Sequence, residues 1–504
     1  MMQSRPLKIL MPYPQLPTTG QLLLEGGDHR IALNPETGLN KYGCGPLPNP
    51  KLLAFGSSTA STISEPGFAA ADHLRNRLSD DVLSSSCEEI YDRELDRIRR
   101  ELLTLCGIDS LPGIEAVIAS SGTDLHALVA QYARRYGSAR TRIIMMDPDE
   151  TGCGIQAALG HQYPCPVPSS MHHMDSGLLV LTVRLRRMDG KPRPQNEVDG
   201  EVETLVNHAI RQGERVLLIQ LDVSKTGLLA PSLACIDHLR AQFADHLDVL
   251  IDACQFRIAP ASLLAYLQRG CMVAITGSKF LAGPSFSAAL LIPKEVADPL
   301  RHSIMSPTSG LASFSTTEWP LSWKTANKPK PAPNFGLLLR WEAALEEFRV
   351  FSTVPENAIV HFLHTFARCI QQRLADDPLF EPLPVLPIER SSTLSEETWD
   401  DQPTIFPFLG FHAPYKLPLN REETAWIYRS LLLGSGQGND ASCCQMGQPV
   451  VCGLHNEIPV SALRLCLSAG LIVEGTADNG KHATSVIDRA MDALDRIKYL
   501  AHRV

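Results

Sequence analysis

No stretch of the 504-residue sequence approaches the roughly 20 consecutive apolar residues that a membrane-spanning helix needs. The opening residues, Met1-Met2-Gln3-Ser4-Arg5-Pro6-Leu7-Lys8, lack the apolar segment of a secretory signal, so a cytoplasmic protein without membrane contact is expected. Positive charge is also short: 46 Lys and Arg stand against 55 Asp and Glu, a formal net charge of −9. No basic stripe with interleaved aromatics is present, which argues against nucleic acid as a partner. The 13 cysteines include no Cys-x-x-Cys pair and no histidine-flanked metal spacing, and several, such as Cys106, Cys254 and Cys466, sit in apolar segments. Reduced core thiols and no metal are therefore expected. Internal repeats and low-complexity tracts are absent too. What remains is ordinary globular material, 44% hydrophobic and 20% charged, long enough for more than one domain.

Against that background one stretch stands out, Ile275-Thr276-Gly277-Ser278-Lys279-Phe280-Leu281-Ala282-Gly283-Pro284, which sets a lysine among small hydroxyl residues after an apolar run. Burial penalises an ammonium and leaves a nucleophilic amine, the form that reacts with carbonyls. Upstream, Leu247-Asp248-Val249-Leu250-Ile251-Asp252-Ala253-Cys254-Gln255 reads as a buried parallel strand delivering Asp252 to its carboxyl edge. Lys279 follows Asp252 by 27 positions, the length of one helix and one further strand, so both can face one cleft. Earlier still, Ala116-Val117-Ile118-Ala119-Ser120-Ser121-Gly122-Thr123-Asp124-Leu125-His126 runs from a strand through Ser-Gly-Thr into a helix. That places the Gly122 and Thr123 amides and the Ser121 and Thr123 hydroxyls at a helix N-terminus suited to phosphate.

These elements in this order resemble the fold type I pyridoxal-phosphate enzymes, most closely the class V aminotransferase group with its cysteine desulfurase and kynureninase relatives. The resemblance implies pyridoxal 5′-phosphate as cofactor, held by the Ser121-Gly122-Thr123 turn, paired at its ring nitrogen with Asp252 and bound covalently by Lys279 as a Schiff base. Leu221-Asp222-Val223-Ser224-Lys225-Thr226-Gly227 is similar to the family's segment near the phenolic oxygen and implies a contact from Ser224. Gln255, Thr276, Ser278 and Thr151 complete the implied cofactor set. Near the C-terminus, Ala462-Leu463-Arg464-Leu465-Cys466-Leu467-Ser468 alternates like the strand on which the family carries its carboxylate-binding arginine, so Arg464 is the expected clamp for a substrate α-carboxylate.

The pattern also departs from the family. Where relatives stack an aromatic on the cofactor ring, this chain has Asp147-Pro148-Asp149-Glu150-Thr151-Gly152-Cys153-Gly154, leaving Thr151 or an aromatic such as Tyr163. The glycine-rich loop from Gly434 to Cys444 precedes Arg464 at the place where desulfurases carry a sulfur-accepting cysteine, so Cys443 or Cys444 is a candidate acceptor beside the plainer reading of ordinary thiols. Thr316 or Thr317 is a candidate for the phosphate contact that family members receive from a neighbouring subunit. The resemblance further implies a homodimer.

Along the chain, residues 1–87 read as an arm with a strand-like run at 21–24 and substrate-mouth loops at 40–45 and 55–59. Residues 88–325 read as the large cofactor domain, and 326–504 as a smaller α+β domain beyond a Lys-, Pro- and Asn-rich boundary at 324–333. Ile90, Leu95, Ile98, Leu102 and Leu105 lie on one side of a helix from Glu88 to Leu105. Strands expected at 142–146, 178–183, 216–221, 247–251, 272–276 and 288–292 alternate with helices, which predicts an α/β fold with a mostly parallel sheet covered by helices. The region 376–401 has no assignment. The expected function is a pyridoxal-phosphate enzyme acting on an amino acid, foremost an aminotransferase. Elimination or desulfuration, a lyase chemistry, is the second choice, and a non-catalytic binding protein of the same fold the third.

Overall fold

The computed structural model describes residues 16–133, 140–152, 154–159, 178–302, 319–320, 323, 332–390, 398–412, 417–434 and 443–504. Its first strand, β1 (Leu53–Phe55), precedes two capped helices, Glu65–Asp81 and Cys87–Leu105. Ser64 and Ser86 cap them, each accepting a hydrogen bond from an amide of the first turn. In the second helix Ile90, Leu95, Ile98 and Leu102 face the core as their spacing predicts.

The larger sheet contains β2 (Glu115–Ala119), β3 (Thr141–Met146), β4 (Leu178–Val183), β5 (Arg215–Leu221), β6 (Leu247–Asp252), β7 (Met272–Thr276) and β8 (Ala288–Ile292). Their order is β2-β8-β7-β6-β5-β3-β4, and all neighbours are parallel except β8, which runs against both β2 and β7. Both faces are covered. Val216 and Leu218 of β5 belong to one apolar cluster, while Leu217 and Ile219 point into another on the opposite face. That two-residue alternation, with every one of the four buried, is why the strands read as unbroken apolar runs.

The second sheet adds β9 (Phe380–Pro382), β10 (Ile405–Gly410), β11 (Cys444–His455) and β12 (Ile458–Cys466), in the order β1-β11-β12-β10-β9. Here β1 pairs parallel to β11 and the remaining pairs are antiparallel. The helix Phe335–Ser352 is buried along most of its length and packs on both early helices. It also presses on the loop that carries Lys279. A Cβ on Gly277 or on Gly283 would lie 2.6 Å from the Ala344 Cβ, so both glycines are required by close approach.

One local expectation fails. The run at 21–24 is not a strand: Gln21 and Leu22 end a short helix, Thr19–Leu22, and 23–24 form the turn after it, because Thr18 and Gln21 form a reciprocal capping box. The unassigned region 376–401 contributes β9 and Arg390. The Arg390 guanidinium reaches both carboxylate oxygens of Asp222, at 3.0 and 2.5 Å, while the Tyr266 hydroxyl donates to the same carboxylate at 2.7 Å. Among the described residues no helix is long and apolar enough to cross a membrane.

Candidate active site

The carboxyl ends of β2, β5, β6 and β7 open into one cavity of about 330 Å³, the position where open α/β sheets bind ligands. Ser121, Gly122, Thr123, Thr151, Asp252, Gln255, Thr276, Ser278, Lys279 and Arg464 all line it. Ten of the eleven site residues expected from sequence thus meet at one place. Ser224 is the exception. Its neighbours Val223 and Lys225 line the cavity, whereas its own hydroxyl is buried and donates to Glu150 Oε2 at 2.6 Å. Glu150 also accepts from Thr226 Oγ1 at 2.7 Å and pairs with Arg186 at 2.8 Å, so Ser224 fixes the 147–152 turn from behind.

The phosphate-type turn begins the helix Gly122–Ala133. Ser121 donates from both its amide and its hydroxyl to Asp124 Oδ2, each at 2.9 Å. A Cβ on Gly122 would sit 2.8 Å from Cys254 Sγ, so the turn is packed directly against the loop after β6. That loop is held in turn: the Cys254 amide donates to Asp252 Oδ1 at 3.2 Å, and Thr276 Oγ1 donates to the Cys254 carbonyl at 2.6 Å.

Asp252 ends β6 and is buried. Its partner is His126, also buried, a residue that sequence reasoning passed over. His126 Nδ1 lies 2.7 Å from the Gly122 carbonyl, which only accepts, so Nδ1 carries a proton. Its Nε2 faces Asp252 Oδ2 at 3.2 Å, an ion pair between two buried side chains. One imidazole therefore ties the phosphate-type turn to the strand-end acid. Burial pushes the Asp252 carboxyl up, but His126, the Cys254 side chain and the Lys279 charge outweigh it and hold Asp252 at about 2. The spacing of His126, four residues beyond Gly122 on a helix, was the available signal.

Lys279 is half-buried at the cavity wall, less enclosed than its sequence setting suggested. Arg464 is deeply buried, and its fork is turned to neutral acceptors: Gln448 O at 2.6 and 3.1 Å, Lys225 O at 3.0 Å and Thr59 Oγ1 at 2.9 Å. Burial draws its pKa down, and no carboxylate forms an ion pair with it among the described residues. A guanidinium in that state at a cavity wall suits an anionic ligand.

From the loops at 40–45 and 55–59, read from sequence as lying at the substrate mouth, Tyr42, Ser58 and Thr59 line the cavity. Phe286 does so as well, and with Val223, Phe256 and Ala282 it adopts positive φ in the loops that follow the strand ends. Such conformations cost on the order of 1–3 kcal/mol each and gather at functional sites. Thr151 is the only part of the 147–152 turn whose side chain was expected on the cofactor, and Glu150 and Gly152 line the cavity beside it. Tyr163, Thr316 and Thr317 lie outside the described residues. Cys444 is fully buried with its thiol pushed up to about 12 by that burial, and neither it nor Cys443 lines the cavity. Four residues of strand, about 13 Å, separate Cys444 from Gln448 at the wall.

The donor set fits pyridoxal phosphate. Gln255 presents a buried side chain whose Oε1 has no partner, and Ser285 Oγ is likewise unpartnered at the same wall. An amine, a strand-end carboxylate and a helix N-terminus complete the requirements of an anionic aldehyde with a basic ring nitrogen.

Neither a family model nor a curated protein sequence matches the chain. Solved structures do. The cysteine desulfurase CsdA from Escherichia coli superposes with a TM-score of 0.52 at 16% identity, over 88% of this chain and 94% of that one. The cysteine desulfurase from Thermococcus onnurineus NA1 gives 0.53 at 12%, again over 88% and 94%. Mouse CSAD gives 0.53 at 14%, over 90% of this chain and 84% of its own. The fold is that of the fold type I pyridoxal-phosphate enzymes, shared at a distance with desulfurases and with a glutamate decarboxylase domain from Vibrio parahaemolyticus.

Proposed function

We propose that the chain is a pyridoxal 5′-phosphate-dependent enzyme acting on an amino acid, and that its reaction is amino-group transfer. The observation that carries this is the convergence of Lys279, Asp252, Gln255 and the Ser121-Gly122-Thr123 turn on one cavity at the strand ends. Bound pyridoxal phosphate supplies an electron sink for charge that develops when a bond to the substrate Cα breaks. Lys279 would hold the cofactor covalently, and its amine, once displaced by substrate, would take the Cα proton. Asp252 would keep a proton on the ring nitrogen, with His126 Nε2 backing its other oxygen. Arg464 would turn its fork from Gln448 O toward the substrate α-carboxylate.

That last role favours transfer over decarboxylation. A carboxylate gripped by a guanidinium is stabilised as an anion, which raises the barrier to its leaving as carbon dioxide and directs bond cleavage to Cα–H. Sulfur transfer through Cys443 or Cys444 gains nothing from the geometry, since neither thiol reaches the cavity wall. A homodimer belongs to the same proposal.

The purified holoenzyme should show a visible absorbance band that borohydride bleaches, with the cofactor mass fixed on the Lys279 peptide. Lys279→Ala should be colourless. With a panel of amino acids, keto acid formed in proportion to an amino acceptor consumed supports transfer. Carbon dioxide or sulfide as the main product would assign the site to a decarboxylase or a desulfurase, and a wild type without the band would remove the cofactor altogether.

A further inference from the structure

We infer that Arg30, carried by the N-terminal arm, binds the cofactor's phosphate, so that the phosphate subsite is assembled from two distant parts of the chain. The inference rests on the pyridoxal-phosphate reading above. It begins with how the arm is seated. Arg340, fully buried in the long helix Phe335–Ser352, donates Nη1 to the carbonyls of Leu23 and Glu25 at 3.2 and 2.6 Å, and Nε to the Phe286 carbonyl at 3.0 Å. The Gly26 carbonyl accepts from Ser120 Oγ at 3.3 Å and from Asn334 Nδ2 at 3.0 Å. The arm is thereby fastened to the end of β2 and to the cavity loop.

Those fastenings bring Arg30 to the cavity. Its guanidinium pairs with Asp28 at 2.7 Å and lies over the Phe286 ring, 5.1 Å from the ring centre. Nη2 is 3.4 Å from Ser121 Oγ and Nη1 is 3.5 Å from Thr123 Oγ1, the two hydroxyls on either side of Gly122. Four described cations line the cavity: Arg30, Lys225, Lys279 and Arg464. Arg30 is the one bonded to the turn. Lys225 Nζ is directed to the Pro148 and Asp149 carbonyls, and Arg464 to Gln448.

Charge gives the second argument. Asp124 sits within the turn and Asp28 beside it, so a phosphate at the helix N-terminus would meet two nearby carboxylates. The helix end contributes only about half a unit of positive charge. Arg30, paired with Asp28, cancels the charge of one of these carboxylates and so offsets part of that repulsion, and the planar fork of an arginine matches phosphate oxygens where a lysine's point charge does not.

The experiment compares two ligands that share the ring and differ in the phosphate. Apo protein is titrated with pyridoxal phosphate and with pyridoxal, using wild type, Arg30→Gln, Arg30→Lys and Asp28→Asn, with binding read by calorimetry. Arg30→Gln should weaken pyridoxal phosphate by about 10- to 100-fold, the worth of one hydrogen bond to a charged group, and leave pyridoxal unchanged. Arg30→Lys should recover part of the loss. Equal loss for both ligands would make Arg30 a structural tie of the arm, and no loss for either would remove it from the subsite; each outcome overturns the inference. Wild type that binds neither ligand would instead overturn the cofactor reading beneath it.

Discussion

Replacing His126 by glutamine should remove a stabilising charge pair whose contribution depends on pH in a defined direction. The Asp252 carboxyl is held at about 2 in the fold, against about 3.9 when unfolded, which corresponds to roughly 2–3 kcal/mol. That contribution is present above the unfolded value and is lost as pH falls through the folded one. For His126, burial pushes the imidazole down, but Asp252 and the Gly122 carbonyl outweigh it and leave its pKa raised. Its share is complete below the unfolded value of about 6.5 and fades as pH rises through the folded one. The pair therefore acts fully between about pH 4 and 6.5, and breaking one member of a buried pair costs about 3–5 kcal/mol. Urea denaturation of the apo proteins should show His126→Gln less stable by about 3 kcal/mol near pH 5.5, with the gap narrowing toward pH 9. A gap of the same size at both pH values would refute the reasoning, because it would mean that the imidazole is neutral throughout.

Gly277→Ala would set its new Cβ 2.6 Å from that of Ala344 and 3.0 Å from Ser287 Oγ, an overpacking expected to cost about 1–3 kcal/mol. Adding Ala344→Gly should recover most of it in a double-mutant denaturation cycle, and strict additivity would show that the close approach is not the cause. Arg390→Met should cost about 3–5 kcal/mol in the same assay, since it leaves the buried Asp222 carboxylate without its guanidinium. Asp222→Asn combined with Arg390→Met should lose less than Arg390→Met alone.

Much of the site was legible because it is local. Asp252, Thr276 and the Ser121-Gly122-Thr123 turn each stand at the end of an apolar run, and a strand buried on both faces announces itself in sequence. Knowing where such strands end is knowing where a parallel sheet presents its ligands. Ser224 shows the limit of that logic. Its place after β5 was readable, but the direction of its hydroxyl is decided by Glu150, 74 positions earlier, with which it is bonded at 2.6 Å. Gln21 to Leu24 failed for the opposite reason: a four-residue capping box from Thr18 to Gln21 overrode an apolar run too short to decide between strand and helix.

What could not be read is what long-range packing assembles. Arg30 reaches Ser121 across 91 positions, and it does so because Arg340 and Asn334, more than 300 positions further on, hold the arm's carbonyls. No local pattern marks an arginine in a Pro- and Gly-rich arm as part of a phosphate subsite. The same holds for the strained loop residues Val223, Phe256, Ala282 and Phe286, whose positive φ angles are unfavourable for each residue taken alone. They persist because the strands before them and the helices around them fix both ends of every loop. If strain at these positions is what aims Gln255, Lys279 and Ser285 into the cavity, then the site's geometry is set by the packed sheet and the long helix. The arm supplies charge to a cavity whose shape the rest of the chain has already determined.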